Sequence, residues 1–235
     1  MEKEQLMQLK EIYPQLPVGE EQLLQMEAFV KLLIHANSIH NLTRIVDERE
    51  IVVKHLADSI APLAFDLIPS GSRVLDIGTG PGFPGIPLQI MDPTLHMTMM
   101  DSSEKKVEFV KEVCSALKLP AQAIWGRAEE LAKQPEHDGK YDIVCFRAVA
   151  ALNILLELAS RYLKVGGMLI AYKGEGAMAE AEQAKNAARQ LGFRFERVVH
   201  SQLPNLDHQL LLFCKTKETP SKYPRRYAQI KKAPL

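Results

Sequence analysis

Downstream of Pro69-Ser70-Gly71, short apolar runs alternate with longer segments in which apolar residues recur at every third or fourth position. The short runs are typical of buried strands, and the longer segments of amphipathic helices. The runs that precede a helical segment are RVLDIG, LHMTMMD, AQAIWG, YDIVCFRA and GGMLIAYK. This alternation predicts an α/β fold with a parallel sheet wound by helices, which binds ligands at the carboxyl ends of its strands.

The last two apolar runs, FRFERVVHS and HQLLLFCKT, have no helical segment between them. The intervening LPNLD is too short for the crossover that joins parallel strands. We therefore expect these two strands to pair antiparallel at the edge. The result is a Rossmann-like, mostly parallel seven-stranded sheet with an antiparallel edge strand.

The first 65 residues follow a helical pattern throughout. Apolar side chains keep helical spacing between residues 20 and 37, and Asp47 followed by Glu50 is typical of a capped helix start. We predict a helical N-terminal appendage over residues 1–65, a Rossmann-like domain over 66–218 and a basic C-terminal tail over 219–235.

Composition narrows the class of protein. The 235 residues include 29 basic and 29 acidic side chains, so the net charge is zero. No apolar run approaches the ~20 residues of a membrane-spanning helix, and the charged N-terminus lacks the apolar core of a signal peptide. We expect a cytoplasmic protein without a membrane segment. Cys114, Cys145 and Cys214 lie far apart with no histidine cluster nearby, so we predict no metal site.

The C-terminal tail departs from this balance of charge, because it contains no acidic residue. Its candidate RNA contacts are Arg225, Arg226, Lys231 and Lys232, interleaved with Tyr223 and Tyr227. Such cations pair with phosphates, and tyrosine rings stack on bases. A solvated terminus without a partner has the same composition, so both interpretations stay open.

The stretch VLDIGTGPGFPGIPL, residues 74–88, fits two kinds of ligand. From Gly80 it has the G-x-G-x-x-G spacing of a dinucleotide site, with Asp101 at about the position of the ribose-binding acid. Such a site depends on backbone N–H groups that point at a pyrophosphate. Three prolines in this stretch remove such donors, so the loop is poorly suited to phosphate.

The charge of Asp76 leads to the same conclusion. At ~5 Å from a phosphate, its carboxylate would be repelled by roughly 3 kcal/mol at an effective dielectric constant near 20. The sign reverses for S-adenosylmethionine, whose ammonium and sulfonium groups are cationic. Gly78, Gly80 and Gly82 would expose bare backbone on which the adenosine and the methionine tail can lie. Asp101 would accept hydrogen bonds from the ribose hydroxyls of either nucleotide.

Several separated motifs resemble one family. VLDIGTGPGFPGIPL, WGRAEEL, YDIVCFRAVA, LKVGGMLIAYKG and the upstream HNLTRI are similar to the bacterial 16S ribosomal RNA guanine-N7 methyltransferase family, also called glucose-inhibited division protein B. The resemblance runs from about residue 37 to the C-terminus. It implies a class I S-adenosylmethionine-dependent methyltransferase fold with S-adenosylmethionine as cofactor. The implied acceptor is a guanine N7 of 16S ribosomal RNA, in free RNA or in a small-subunit particle.

The resemblance also implies roles for individual residues. By matched motif, the cofactor-binding residues are Gly78, Phe83, Ala128, Glu129 and Arg147. The implied catalytic residues are Arg147 at the mouth of the site, Lys173 after the fifth strand, and Asn41, which with Thr43 belongs to a segment that covers the pocket. The tail YPRRYAQIKKAPL departs from the family pattern, because it lacks the expected Gly-Thr-Pro.

Guanine N7 has a lone pair and no proton, so methyl transfer to it requires positioning but no general base. In agreement, the sequence offers no activated nucleophile and no paired carboxylates. We expect Arg147 and Lys173 to orient the RNA, and the protein to be a monomer. The alternatives are a methyltransferase of small molecules and a non-catalytic RNA-binding protein that retains the fold. A nicotinamide dehydrogenase is disfavoured by Asp76 and the prolines.

Overall fold

The computed structural model describes residues 3–45 and 47–235. Its strands are β1 (Arg73–Ile77), β2 (His96–Asp101), β3 (Gln122–Trp125), β4 (Tyr141–Arg147), β5 (Leu163–Lys173), β6 (Phe193–His200) and β7 (Gln209–Lys215). The helices before the sheet are α1 (Lys3–Leu6), α2 (Gln8–Ile12), α3 (Glu20–His40), α4 (Glu48–Glu50) and α5 (Asp58–Ala64), with a π-helical segment, Ile51–Ala57, between the last two. The remaining helices are α6 (Gly85–Met91), α7 (Glu104–Ala116), α8 (Ala128–Leu131), α9 (Leu152–Ala159), α10 (Ala177–Gln183), α11 (Lys185–Leu191) and α12 (Tyr227–Lys232).

The seven strands form one sheet in the order β3-β2-β1-β4-β5-β7-β6. The first five strands are parallel, whereas β7 pairs antiparallel with both β5 and β6. The predicted α/β fold with an antiparallel edge is therefore confirmed. Because strand order reverses between β1 and β4, the carboxyl ends of these two strands flank the crevice in which such sheets bind ligands.

The N-terminal helices pack on one face of this sheet. Met26, Phe29 and Leu33 of α3 are fully buried and share a continuous apolar core with Val74 of β1 and Ile86 of α6. This packing joins α3 to the strand that precedes the glycine turn and to the helix that follows it. The domain boundaries at residues 65 and 218 stay predictions.

The predicted helix start at Asp47 is confirmed, because its Oδ1 accepts a hydrogen bond of 3.0 Å from the backbone N–H of Glu50. The middle of this helix is π-helical, over Ile51–Ala57, which the apolar pattern did not predict. Such π segments occur often at functional sites. Here the segment carries His55 to the edge of the crevice.

The C-terminal tail is folded against the domain, which excludes the interpretation as a solvated terminus. Tyr223 and Ile230 are buried, and Arg225 binds the buried carboxylate of Glu157 in α9 through its Nε and Nη2, at 2.9 and 2.6 Å. Arg225 was expected to contact RNA, but the structure uses its guanidinium to hold the tail. Arg226, Lys231 and Lys232 are exposed.

Two kinds of feature are missing from the part of the chain that the structure describes. None of its helices is long and apolar enough to cross a membrane. It also contains no group of three or more His, Cys, Asp or Glu side chains placed to hold a metal ion.

Candidate functional site

The glycine turn connects β1 to α6 and lies at the carboxyl end of the sheet. Gly78, Gly80 and Gly82 have φ values of +74°, +58° and +101°, the left-handed region that favours glycine. A Cβ at Gly78 would lie 2.6 Å from Cγ2 of Val149, whereas a Cβ at Gly80 would meet nothing within 4 Å. Backbone at Gly80 therefore borders open space, as contact with a flat ligand requires.

A cavity of about 300 Å³, which we call the cofactor cavity, opens beside this turn. Among the predicted cofactor residues it is lined by Gly78, Asp101, Ala128 and Glu129. The structure thus brings together residues from the ends of β1 and β2 and from the start of α8. The lining residues that were not predicted to bind the cofactor include Lys106, Arg127, Leu158 and Tyr227.

Asp101 closes β2 and organises the loops around the cofactor cavity. Its Oδ2 accepts a hydrogen bond of 2.9 Å from the backbone N–H of Gly80, and its Oδ1 accepts one of 2.8 Å from the N–H of Ser103. A carboxylate oxygen can accept a second hydrogen bond. Asp101 therefore orders the neighbouring loops, and its carboxylate oxygens can still accept hydrogen bonds from the two hydroxyls of a vicinal diol.

Asp76 is fully buried beneath the glycine turn and does not line the cofactor cavity. Its Oδ2 accepts a hydrogen bond of 2.9 Å from the N–H of Gly85, while its Oδ1 has no hydrogen-bond partner within residues 3–45 and 47–235. Burial raises the pKa of this carboxyl to about 7, against the lowering effects of the Thr79 side chain, of the Gly85 hydrogen bond and of the charge of Arg147. A half-satisfied buried acid of this kind is stabilised in its charged form by any cation bound nearby.

A second cavity, of about 630 Å³, lies on the other side of the segment after β4, and we call it the acceptor cavity. Ala148 and Val149 line both cavities. The acceptor cavity contains Arg147 and Lys173, two of the three predicted catalytic residues. The two cavities thus meet across a single backbone segment at the carboxyl end of β4.

Arg147 is held in place by a network that reaches into the π segment. Its Nη1 lies 3.2 Å from Oδ2 of Asp58, and its Nη2 lies 2.5 Å from Nδ1 of His55. Burial, and secondarily the charge of Arg147, lower the pKa of His55 to about 3, so this imidazole is neutral at physiological pH. His208 completes the network, with Nδ1 3.0 Å from Oδ1 of Asp58.

Phe83 lies under this network and is almost fully buried. Its ring stacks on His55 with a centroid distance of 4.5 Å, and the Arg147 guanidinium lies 5.2 Å from its centroid. Phe83 lines neither cavity, so the cofactor contact implied for it stays a prediction. The observed contacts make the ring a support for Arg147 and His55.

The other two predicted catalytic residues differ in position. Lys173 at the end of β5 donates hydrogen bonds to the carbonyl of Ala150, at 2.8 Å, and to Glu180, at 3.0 Å, so it also braces the segment between the cavities. Asn41 ends α3 with a φ of +50°, is exposed, and lines neither cavity. Its neighbour Thr43 does reach the site, since its Oγ1 lies 3.1 Å from Nε2 of His55.

Sequence reasoning did not predict the site roles of His55, Asp58 and His208. A usable signal was present for the first two, because His55 and Asp58 occupy positions on the buried side of an otherwise apolar helix. Polar side chains in such positions require partners. Those partners lie 92 and 89 residues away at Arg147, where no local pattern points to them.

The sheet order, the glycine turn and the acids near the carboxyl ends of β1 and β2 are those of the S-adenosylmethionine-dependent methyltransferase fold. A crystal structure of such an enzyme from Aquifex aeolicus aligns with a TM-score of 0.55 at 20% identity, over 72% of this chain and 94% of that chain.

The family model for GidB, rRNA small subunit methyltransferase G, matches residues 22–210. Ribosomal RNA small subunit methyltransferase G of Pelotomaculum thermopropionicum is 42% identical over 221 residues, which cover 93% of this chain and 92% of the relative. The protein of the same name from Caldanaerobacter subterraneus subsp. tengcongensis is 43% identical over 212 residues, or 89% and 88% of the two chains. The chain belongs to this methyltransferase family.

These comparisons confirm the predicted family, and they confirm S-adenosylmethionine as the cofactor at the level of family and fold. The residues present fit that cofactor. The cofactor cavity is lined by Gly78, where the backbone has a positive φ, and by Asp101, whose carboxylate oxygens can each accept a further hydrogen bond. Asp76, buried beneath the glycine turn, has one oxygen without a hydrogen-bond partner among the described residues.

Proposed function

We propose that this protein transfers a methyl group from S-adenosylmethionine to the N7 of a guanine in 16S ribosomal RNA. The family supports ribosomal RNA as substrate, since the relatives carry that function in their names. The observation that carries the proposal is the pair of cavities that meet at Ala148 and Val149. A donor in one cavity and an acceptor in the other would meet beside this segment, where the N–C bond to N7 could form as the S–C bond of the donor breaks.

The cofactor cavity would hold the adenosyl part of the donor. Asp101 would accept hydrogen bonds from the ribose, the backbone at Gly78 and Gly80 would face the methionine tail, and Ala128 and Glu129 would border the adenine. The donor supplies an electrophilic methyl group. The charge of Asp76 favours a cationic ligand and disfavours a pyrophosphate.

Arg147 and Lys173 would position the acceptor, and neither would exchange a proton during transfer. Guanine N7 needs no base, and the neighbouring His55 has a pKa of about 3, which makes it a poor one. Orientation of two reactants alone can lower a barrier by roughly 7–11 kcal/mol. The bonds that Lys173 and Arg147 make to fixed acids would keep both cations in place for this task.

The exposed cations of the tail, Arg226, Lys231 and Lys232, would bind RNA phosphates. Replacing all three with Gln should weaken RNA binding and reduce the slope of log affinity against log salt by up to about 2. Arg225→Gln would not serve as a neutral control, because that side chain holds the tail to Glu157. Lys10→Gln, Lys31→Gln and Lys133→Gln provide a control of equal charge elsewhere. An unchanged slope in the tail variant would remove the tail from the RNA interface.

The test of the function is incubation with labelled S-adenosylmethionine and either free 16S RNA or small-subunit particles from cells that lack the protein. We expect label in RNA, recovered as 7-methylguanosine. Label in a base other than guanine, or at another atom, would contradict the N7 assignment. Turnover on metabolites but not RNA would favour the small-molecule alternative, and cofactor binding without any turnover would favour the non-catalytic one. Sedimentation of the purified protein tests the expected monomer.

A further inference from the structure

The C-terminal tail is fixed to the helix that borders the cofactor cavity. Arg225 donates hydrogen bonds from its Nε and Nη2 to Glu157, and its backbone N–H also donates to Glu157, at 2.8 Å. Glu157 is completely buried in α9. Ile230 of α12 is also completely buried, in the core that contains α9. This anchoring determines where α12 begins.

The first residue of α12 reaches the cofactor cavity. Tyr227 is half-buried, packs against the same core and lines the cavity together with Leu158 of α9 and Ala128 of α8. Asp101, which ends β2, and Gly78, which follows β1, line the same cavity. The cavity is thus closed partly by a side chain that follows the last of its other lining residues, Leu158, by 69 positions in the sequence.

We propose that Tyr227 is a cofactor-binding residue, whose ring packs against the adenosyl group of S-adenosylmethionine. The chemistry of the wall supports this assignment, because an aromatic ring beside the buried, apolar Leu158 suits a flat, apolar base. The cations of the same helix, Lys231 and Lys232, are exposed and remain available to RNA. The tail therefore contributes both to the cofactor site and to the outer surface. This inference rests on the proposed location of the adenosyl group in the cofactor cavity.

The test is the affinity for S-adenosylhomocysteine, measured by calorimetry. A second readout is the fluorescence of Trp125, the single tryptophan, whose Nε1 donates to the carbonyl of Ser102 in the cavity wall. Tyr227→Ala should weaken binding about tenfold, which corresponds to about 1.4 kcal/mol. Tyr227→Leu, which keeps apolar bulk if the Ala variant is unstable, should also weaken it. Tyr227→Phe should bind as the unmodified protein does.

Gln229→Ala, an exposed position on the same helix, is the matched control and should leave binding unchanged. Folding of each variant is checked by thermal unfolding. The proposal is overturned if Tyr227→Ala and Tyr227→Leu bind normally, if Tyr227→Phe loses as much affinity as Tyr227→Ala, or if Gln229→Ala shows the same loss. These outcomes do not involve RNA. Failure of the proposed methyl transfer would instead appear as absent RNA labelling with cofactor affinity intact.

Discussion

The buried carboxyl of Asp76 makes cofactor affinity depend on pH. In the ligand-free protein its pKa is raised to about 7, mainly by burial, so roughly nine-tenths of the molecules carry a neutral Asp76 at pH 6 and about a tenth do at pH 8. A cationic ligand nearby favours the ionised carboxylate. By linkage, binding of S-adenosylmethionine then releases a proton at low pH, and affinity rises as pH rises.

The magnitude follows from the fraction of binding-competent protein. If only the ionised form binds well, the apparent Kd is multiplied by one plus ten to the power of pKa minus pH. For a pKa of about 7, this factor is about 11 at pH 6 and about 1.1 at pH 8. We therefore expect about tenfold tighter binding at pH 8, or about 1.4 kcal/mol. Asp76→Asn keeps the shape of the side chain but cannot ionise, so its affinity should be lower at pH 8 and nearly flat across the range.

Calorimetric titration with S-adenosylmethionine between pH 6 and 8 measures this slope. His55 stays neutral across the range, since its pKa is about 3. The hydrogen bond to Asp58 raises the pKa of His208, so His208 is the other titratable group of the site whose contribution needs a control. A His208→Gln variant provides the control and should retain the slope. A steep slope in Asp76→Asn, or a flat one in the unmodified protein, would refute the assignment of the proton to Asp76.

Further predictions follow from single contacts. Gly80→Ala and Gly71→Ala both place a Cβ in open space at positive φ, so each should lose about 1–2 kcal/mol of unfolding free energy. Calorimetry should nevertheless find weaker cofactor binding only for Gly80→Ala. Arg147→Ala should reduce methyl transfer to RNA by about 100-fold and affect cofactor affinity far less; the reverse order in kinetics and calorimetry would contradict its positioning role. Arg225→Ala should lower the unfolding free energy by about 3 kcal/mol in denaturant titrations, because it leaves Glu157 buried without its cation. Between about pH 4 and 7 the folded state retains a proton on Asp76 that the unfolded state releases, so the unfolding free energy of the unmodified protein should fall as pH rises through this range. Asp76→Asn should remove this decrease in denaturant titrations across the same range.

The sheet could be predicted because the pattern that specifies each strand lies in the strand itself and in the segment that follows it. Each parallel strand is a short apolar run followed by a helix of clear period. The six residues between the last two runs are too few for a crossover, so the final pair had to be antiparallel. The π-helical turn over Ile51–Ala57 was not predictable, because the same apolar spacing fits an α-helix. Its effect becomes visible only once His55 meets Arg147 across the fold.

The site residues that lie at the carboxyl ends of strands could be predicted from the sequence. Asp76 is the penultimate residue of β1 and Asp101 is the last residue of β2, and the carboxyl ends of parallel strands meet at one edge of the sheet. The position of Phe83 was harder to predict, since a ring beside a glycine turn can face either the ligand or the core. In the structure it faces the core, where His55 and Arg147 cover it.

The two adjacent arginines of the tail show the limit of composition as a guide. Arg225 lies against a buried acid, whereas Arg226 is exposed, although a count of charges treats them alike. The distinguishing signal lies 68 residues upstream, where Glu157 is the single charge in the apolar run LNILLELA. An acid that a helix buries completely must find a cation, because an unpaired charge in the core would cost several kcal/mol. A lone acid in a buried helix therefore predicts that one basic residue elsewhere is structural, and it reduces the number of cations that a basic tail can offer to RNA.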